Sequence, residues 1–139
     1  MADNLITAPP PSKSFLLSYP APFVLQVTIS RERVMNSIDT AAHWEAEGIF
    51  DWYDQEPSLR VAIITGIGKK SFCAGADLLE QGRIISPGQG GPGAPHKALQ
   101  RYPPGGIAGI SLATHRKKPI IAAVNGYALG GGFEIVLNW

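Results

Sequence analysis

The chain has 139 residues, 45% of them hydrophobic and 17% charged, and a formal net charge of +1. This composition fits one globular domain with a sizeable core and excludes a disordered chain. The near-neutral balance contains no basic tract, which argues against nucleic acid or an anionic membrane surface as the main partner.

Residues 1–14 carry Pro9-Pro10-Pro11 and read as a flexible tail. They hold Asp3 and Lys13 but no arginine, so they fit neither an Arg-rich transit peptide nor a secretory signal. The lone Cys73 forms no internal disulfide, builds no cysteine zinc site and suits a reducing compartment. A cytoplasmic location is the default expectation, with a mitochondrial or peroxisomal address open to a full-length form.

Phe15 to Ser18 reads as a short edge strand, and Phe23 to Ile29 as a longer one with Leu25, Val27 and Ile29 on one apolar face. Ser30 to Asn36 is polar and reads as a loop. From Ser37 the period changes: Ile38, Ala42, Ile49, Trp52 and Tyr53 follow helical spacing, and Pro57 predicts an end near Gln55. Arg60 to Thr65 is a near-continuous apolar run, as in a buried central strand.

After the turn Gly66–Lys70 comes Ser71 to Leu79, a small-residue corner that leads into a short helix. A Gly/Pro-rich loop is expected at about 86–106. Ile107 to Thr114 is expected to be a helix with Ile107, Ile110 and Leu112 half-buried. Pro119 opens a buried strand, and a second glycine turn and corner end in a helix that starts near Gly131. The apolar run Pro119–Val136 is broken by Asn125, glycines and Glu134, so it reads as core and not as a membrane span. Strands alternating with helices define an α/β class.

The two corners echo each other. RVAIITG leads to FCAGAD, and PIIAAVNG leads to LGGGFE: buried strand, glycine turn, small-residue corner, acid. Ser71–Leu78 and Lys118–Glu134 closely resemble the crotonase superfamily, the enoyl-CoA hydratases and isomerases, with a weaker match at Met35-Asn36-Ser37-Ile38. The resemblance runs from about Phe15 to Trp139 and covers the N-terminal part of such an enzyme. It implies a crotonase-like spiral of ββα units, incomplete at its C-terminus, over residues 15–139.

The resemblance also implies site roles. The N–H groups of Ala76 and Gly131 would hold the thioester oxygen of an acyl-CoA. Preorganised donors aimed at a developing enolate oxygen are worth about 3–4 kcal/mol each. Glu134 would hold and activate water at the β-carbon, with its pKa tuned upward if the site is apolar. Ala74, Gly75, Ala76, Asp77, Leu78 and Leu79, with Gly130 and Gly131, would line the substrate path; Lys69 and Lys70 could meet CoA phosphates, although nothing in the sequence places them there. The family's second glutamate lies downstream of the segment that this chain matches. Coenzyme A enters as a thioester substrate, with no cofactor and no metal, and a full-length relative would form a homotrimer or hexamer.

Plainer roles compete at several positions. Asp77 is a candidate helix cap, Cys73 a small core residue, and Trp44, Trp52 and Tyr53 are core by their spacing. His43, His96 and His115 have no supporting motif. Gly66–Ser71 lacks the residue order of a phosphate loop. The expected reaction is reversible hydration of a 2-enoyl-CoA; isomerisation, dehydration in fatty-acid or secondary metabolism, and an inactive remnant or interaction subunit are the alternatives. Apolar surface on Pro119–Val124 and the last helix predicts a chain that aggregates or needs a partner.

Overall fold

The computed structural model describes residues 5–84 and 102–138. Its sequence order is β1 (Phe15–Ser18), β2 (Val24–Ile29), α1 (Thr40–Gln55), β3 (Val61–Gly66), β4 (Ser71–Cys73), α2 (Leu78–Ile84), β5 (Ile120–Ala122), β6 (Tyr127–Ala128) and α3 (Gly131–Leu137). Two strands and a helix therefore recur three times in succession. The expected loop at about 86–106 lies outside the described residues up to 101.

The larger sheet has the order β1-β2-β3-β5. β1 runs antiparallel to β2, with Phe15 opposite Ile29, while β2–β3 and β3–β5 are parallel. β3 is central, as its apolar run suggests; Ala62 and Ile64 are fully buried and the alternate side chains half-buried. Leu25, Val27 and Ile29 of β2 are fully buried on the same alternation. The second sheet is the parallel pair β4–β6, with Ser71 opposite Tyr127 and Cys73 opposite Ala128.

α1 covers the larger sheet. It begins at Thr40 and not at Ser37, because Asp39 is the N-cap and accepts a hydrogen bond from Ala42 N–H at 2.8 Å. Ile38 is core, but it sits before the helix, paired with Ala76. Ala42, Ala46, Ile49, Phe50 and Tyr53 form the buried face, and Trp52 packs at its margin. The helix ends before Pro57, where Lys118 Nζ donates to the carbonyls of Tyr53 at 2.8 Å and Glu56 at 2.6 Å.

Two asparagines hold the turn that leads from the large sheet to the small one. Asn36 donates to Ile67 O at 3.0 Å and Ser71 O at 2.8 Å; Asn125 accepts from Gly66 N–H at 3.0 Å and donates to Gly66 O at 2.7 Å and Gly68 O at 2.9 Å. β3 and β4 thus keep a fixed offset although they belong to different sheets.

Two expectations change. Ile107–Thr114 is not an α-helix. It holds one 3-10 turn, Ile107–Gly109, and Gly106, Ala108 and Gly109 all have positive φ, which breaks the right-handed repeat. Ala108 and Ile110 are buried there, whereas Leu112 is exposed. β5 is an end strand among the described residues, and its Ile121 is 55% exposed, so the strand is buried on one face only.

Residues 5–14, expected to fray, are hydrogen-bonded to two carboxylates. Glu56 accepts from the N–H groups of Ile6 at 3.0 Å and Thr7 at 2.7 Å, and Glu45 accepts from Ser12 Oγ and from the N–H groups of Lys13 and Ser14. Burial alone would raise the Glu56 pKa, but donors from Ser58, Thr7 and Ile6 outweigh it and bring it down to about 2 from an ordinary 4.5. A depressed carboxylate pKa adds stability above its unfolded value, and that stability is lost as pH falls through the folded value. Wild-type protein is therefore expected to lose stability as pH drops from about 4.5 to about 2. Glu56→Gln should be less stable at pH 7 and flatter across that window, read by urea midpoints at each pH.

Candidate active site

The site is made of backbone before it is made of side chains. β4 ends at Cys73, and Ala74-Gly75-Ala76-Asp77 carries the chain to α2. Ile38 N–H donates to Gly75 O at 2.8 Å, and Asp77 N–H donates to Ile38 O at 2.9 Å. The described peptide bonds are all trans. In a trans peptide, carbonyl and N–H point opposite ways. The Gly75 carbonyl faces Ile38, so the Ala76 N–H faces away from it.

The second corner works alike. Gly130 O accepts from Phe133 N–H at 2.9 Å and Glu134 N–H at 3.1 Å, so that carbonyl lies along α3. The N–H of Gly131, in the same peptide, points out of the helix start. Neither the Ala76 nor the Gly131 N–H has an acceptor among the described residues.

Glycine brings the corners together. Gly75 has φ +91°, and a Cβ there would lie 2.7 Å from Leu129 O and 3.0 Å from Gly131 N. Leu129 N–H donates to Cys73 O at 3.0 Å. A Cβ on Gly132 would lie 2.0 Å from the Cys73 carbonyl oxygen, so α3 starts directly against the end of β4. Two outward donors, one from each corner, therefore stand on backbone segments in contact.

Glu134 is exposed and lies one turn into α3. It lines an open cleft of about 790 Å³ with Trp44, Tyr102, Pro103, Ile107 and Leu112, and it is the single carboxylate of that lining among the described residues. Trp44, assigned to the core by spacing, is half-exposed and faces this cleft. Tyr102 and Ile107 line this cleft too, although the sequence did not single them out for a site. They are held by α1: buried His43 accepts from Ala108 N–H at 3.0 Å, and its ring meets Tyr102 edge-on at 4.8 Å. Burial lowers the His43 pKa to about 4, so near neutrality it is an uncharged acceptor.

The remaining candidates separate. Gly75 comes together with Gly130 and Gly131, and Ala74 and Ala76 flank it in the first corner. Leu78 and Leu79, 77% and 70% exposed, project from α2. Asp77 takes the capping role: Oδ1 accepts from Leu79 N–H at 3.0 Å and Glu80 N–H at 3.2 Å, and Oδ2 pairs with Arg31 at 3.1 Å. Cys73 is buried and its thiol is pushed up to about 11 by burial, so it packs as a small side chain. Glu47, Asp51 and His115 bring ligand-type atoms within 4.8 Å of one another. Buried Arg116 already stands as the cation there, 2.6 Å from Asp51 and 3.7 Å from Glu47.

Repeated ββα units and two glycine corners in contact define the class of fold. The chain belongs to the enoyl-CoA hydratase/isomerase family, the crotonase superfamily, which matches residues 22–138. It is 44% identical over 131 residues to the mevalonyl-coenzyme A hydratase of Beauveria bassiana, covering 93% of this chain and 45% of that protein. It is 42% identical over 114 residues to the carnitinyl-CoA dehydratase of Escherichia coli K12, covering 82% of this chain and 39% of that one. The crystal structure of enoyl-CoA hydratase from Bacillus anthracis superposes with a TM-score of 0.72 at 32% identity, over 91% of this chain and 45% of that chain. The chain thus spans less than half the length of these relatives. No helix among the described residues is long and apolar enough to cross a membrane.

Gly75→Ala forces a side chain into a positive φ and against the second corner. It is expected to cost about 1–3 kcal/mol from backbone strain alone, more with the clash, and a chemical-denaturation curve measures it.

Proposed function

We propose that this chain carries the thioester-holding half of an enoyl-CoA hydratase-type site, serving reversible hydration of a 2-enoyl-CoA. The observation that supports this best is that the N–H groups of Ala76 and Gly131, without an acceptor among the described residues, stand on two corners that glycine allows to touch. In hydration, water gives one proton to a base as its oxygen bonds to the β-carbon, and the C=C electron pair moves toward the thioester carbonyl, whose oxygen becomes the enolate oxygen. A proton then adds at the α-carbon. The two donors would stabilise that oxygen without reorganisation, each by about 3–4 kcal/mol. Glu134, one turn beyond the helix start at Gly131, would hold the water.

Coenzyme A takes part as substrate, with no separate cofactor, and trimeric or hexameric assembly belongs to this reading. The relatives named above, a hydratase and a dehydratase, favour water chemistry over double-bond migration.

A second reading is acyl-CoA binding without turnover, and one observation favours it. Glu134 is the single acid on its cleft among the described residues, whereas hydration needs both a base for water and a donor for the α-carbon.

Hydration of crotonyl-CoA, followed by loss of its enoyl-thioester absorbance, separates the two. The hydratase reading expects turnover that drops at least about a hundredfold in Glu134→Gln. Saturable binding of crotonyl-CoA with no hydration supports the binding reading. Neither binding nor hydration by folded protein sinks both.

A further inference from the structure

Arg31 stands between the starts of two helices. Its guanidinium pairs with Asp39 through Nη1 and with Asp77 through Nη2, the latter at 3.1 Å. Each of these carboxylates uses its other oxygen as a cap, Asp39 for α1 and Asp77 for α2. Glu80 of α2 adds a cross-link, accepting from Thr40 N–H at 2.8 Å and Thr40 Oγ1 at 3.1 Å. The Arg31 and Asp77 side chains are only 18% and 12% exposed, so solvent screens the pair less than it would on the surface.

The residues just before these two caps are Ile38 and Ala76. They form the parallel bridge that turns the Gly75 carbonyl inward and the Ala76 N–H outward. Arg31 is itself fixed: its N–H donates to Asn36 Oδ1 at 3.0 Å, and its carbonyl accepts from Asn36 N–H at 2.9 Å. Asn36 in turn grips Ser71 at the start of β4. Without the guanidinium, Asp39, Asp77 and Glu80 would face one another as three like charges beside the corner.

We infer that Arg31 is a positioning residue for the Ala76 N–H: by joining the caps of α1 and α2 it keeps Ile38 seated on Gly75 and so sets the direction of the donor. This rests on Ala76 being an oxyanion donor, and the experiment separates the two claims.

Wild type, Arg31→Met and Asp77→Asn are compared as whole chains. Asparagine caps a helix about as well as aspartate, so Asp77→Asn removes the charge pair and keeps α2. Without ligand, residue-resolved amide exchange is expected to lose about tenfold protection or more at Ile38 and Asp77 in both variants, with Leu25 and Val27 of β2 unchanged. With butyryl-CoA added, the Ala76 amide shift change seen in wild type should shrink in both variants, while that of Gly131 persists. Unchanged protection at Ile38 and Asp77, or a loss in Asp77→Asn that spreads equally to β2, overturns the role of Arg31. An Ala76 response of full size in the variants overturns it too and leaves the site reading standing. A wild-type chain in which neither Ala76 nor Gly131 responds overturns the site reading itself, and the Arg31 role falls with it.

Discussion

Everything at the site depends on one backbone contact, the seating of the α3 start against the end of β4. Cys73 O receives the Leu129 N–H, and Gly132 lies so close to the same carbonyl that a Cβ would stand 2.0 Å from it. The parallel pair β4–β6 supplies the direction of approach, and Gly75 supplies the room. Side chains enter only afterwards. This order suits a site that must present N–H groups, because a donor whose partner carbonyl is already bonded in the protein cannot rotate without breaking that bond.

The large sheet has a different task. Its core of Leu25, Val27, Ile29, Phe50, Tyr53, Ala62 and Ile64 is fully buried, and each large apolar side chain contributes about 1.5–3 kcal/mol. That core fixes β3, and Asn36 and Asn125 carry the position of β3 across the Gly66–Lys70 turn to β4. Asn36 also grips Arg31, so one polar side chain links the core, the first corner and the pair of helix caps.

Much of this was legible in the residues. Strict alternation marked β2, the run RVAIIT marked a central strand, and Pro57 marked the end of α1, because each signal is local. The glycine corners were legible for the same reason, and their likeness to a known family gave them a role. What escaped depended on distant partners. Ile107–Thr114 has helical composition, yet His43 accepting from Ala108 N–H and Arg116 donating to Gly109 O at 2.9 Å hold it in an irregular loop. Trp44 follows the α1 spacing but turns to a cleft whose other wall comes from Tyr102 and Ile107. Glu56 gave no sign that it would bind a segment some fifty residues earlier in the chain, at Ile6 and Thr7.

The two corners are unequally supported, and this bears on how the site works. Ala76 is held on both sides by Ile38, and Arg31 and Glu80 join the neighbouring helix starts. Gly131 is fixed toward β4 and Ile107, but the segment carrying it leaves apolar side chains uncovered: Val124, Tyr127, Leu129 and Phe133 are all about half-exposed or more. β5, which leads into that segment, has an open edge among the described residues. Such exposure is costly for one stretch of chain, since packing on one face leaves the other to water. The Ala76 corner is thus set by contacts within this chain, whereas the Gly131 corner is packed on one side only among the described residues. The proposed oxyanion role asks for both N–H groups aimed at once, so under that reading the less supported corner limits how well the pair is held.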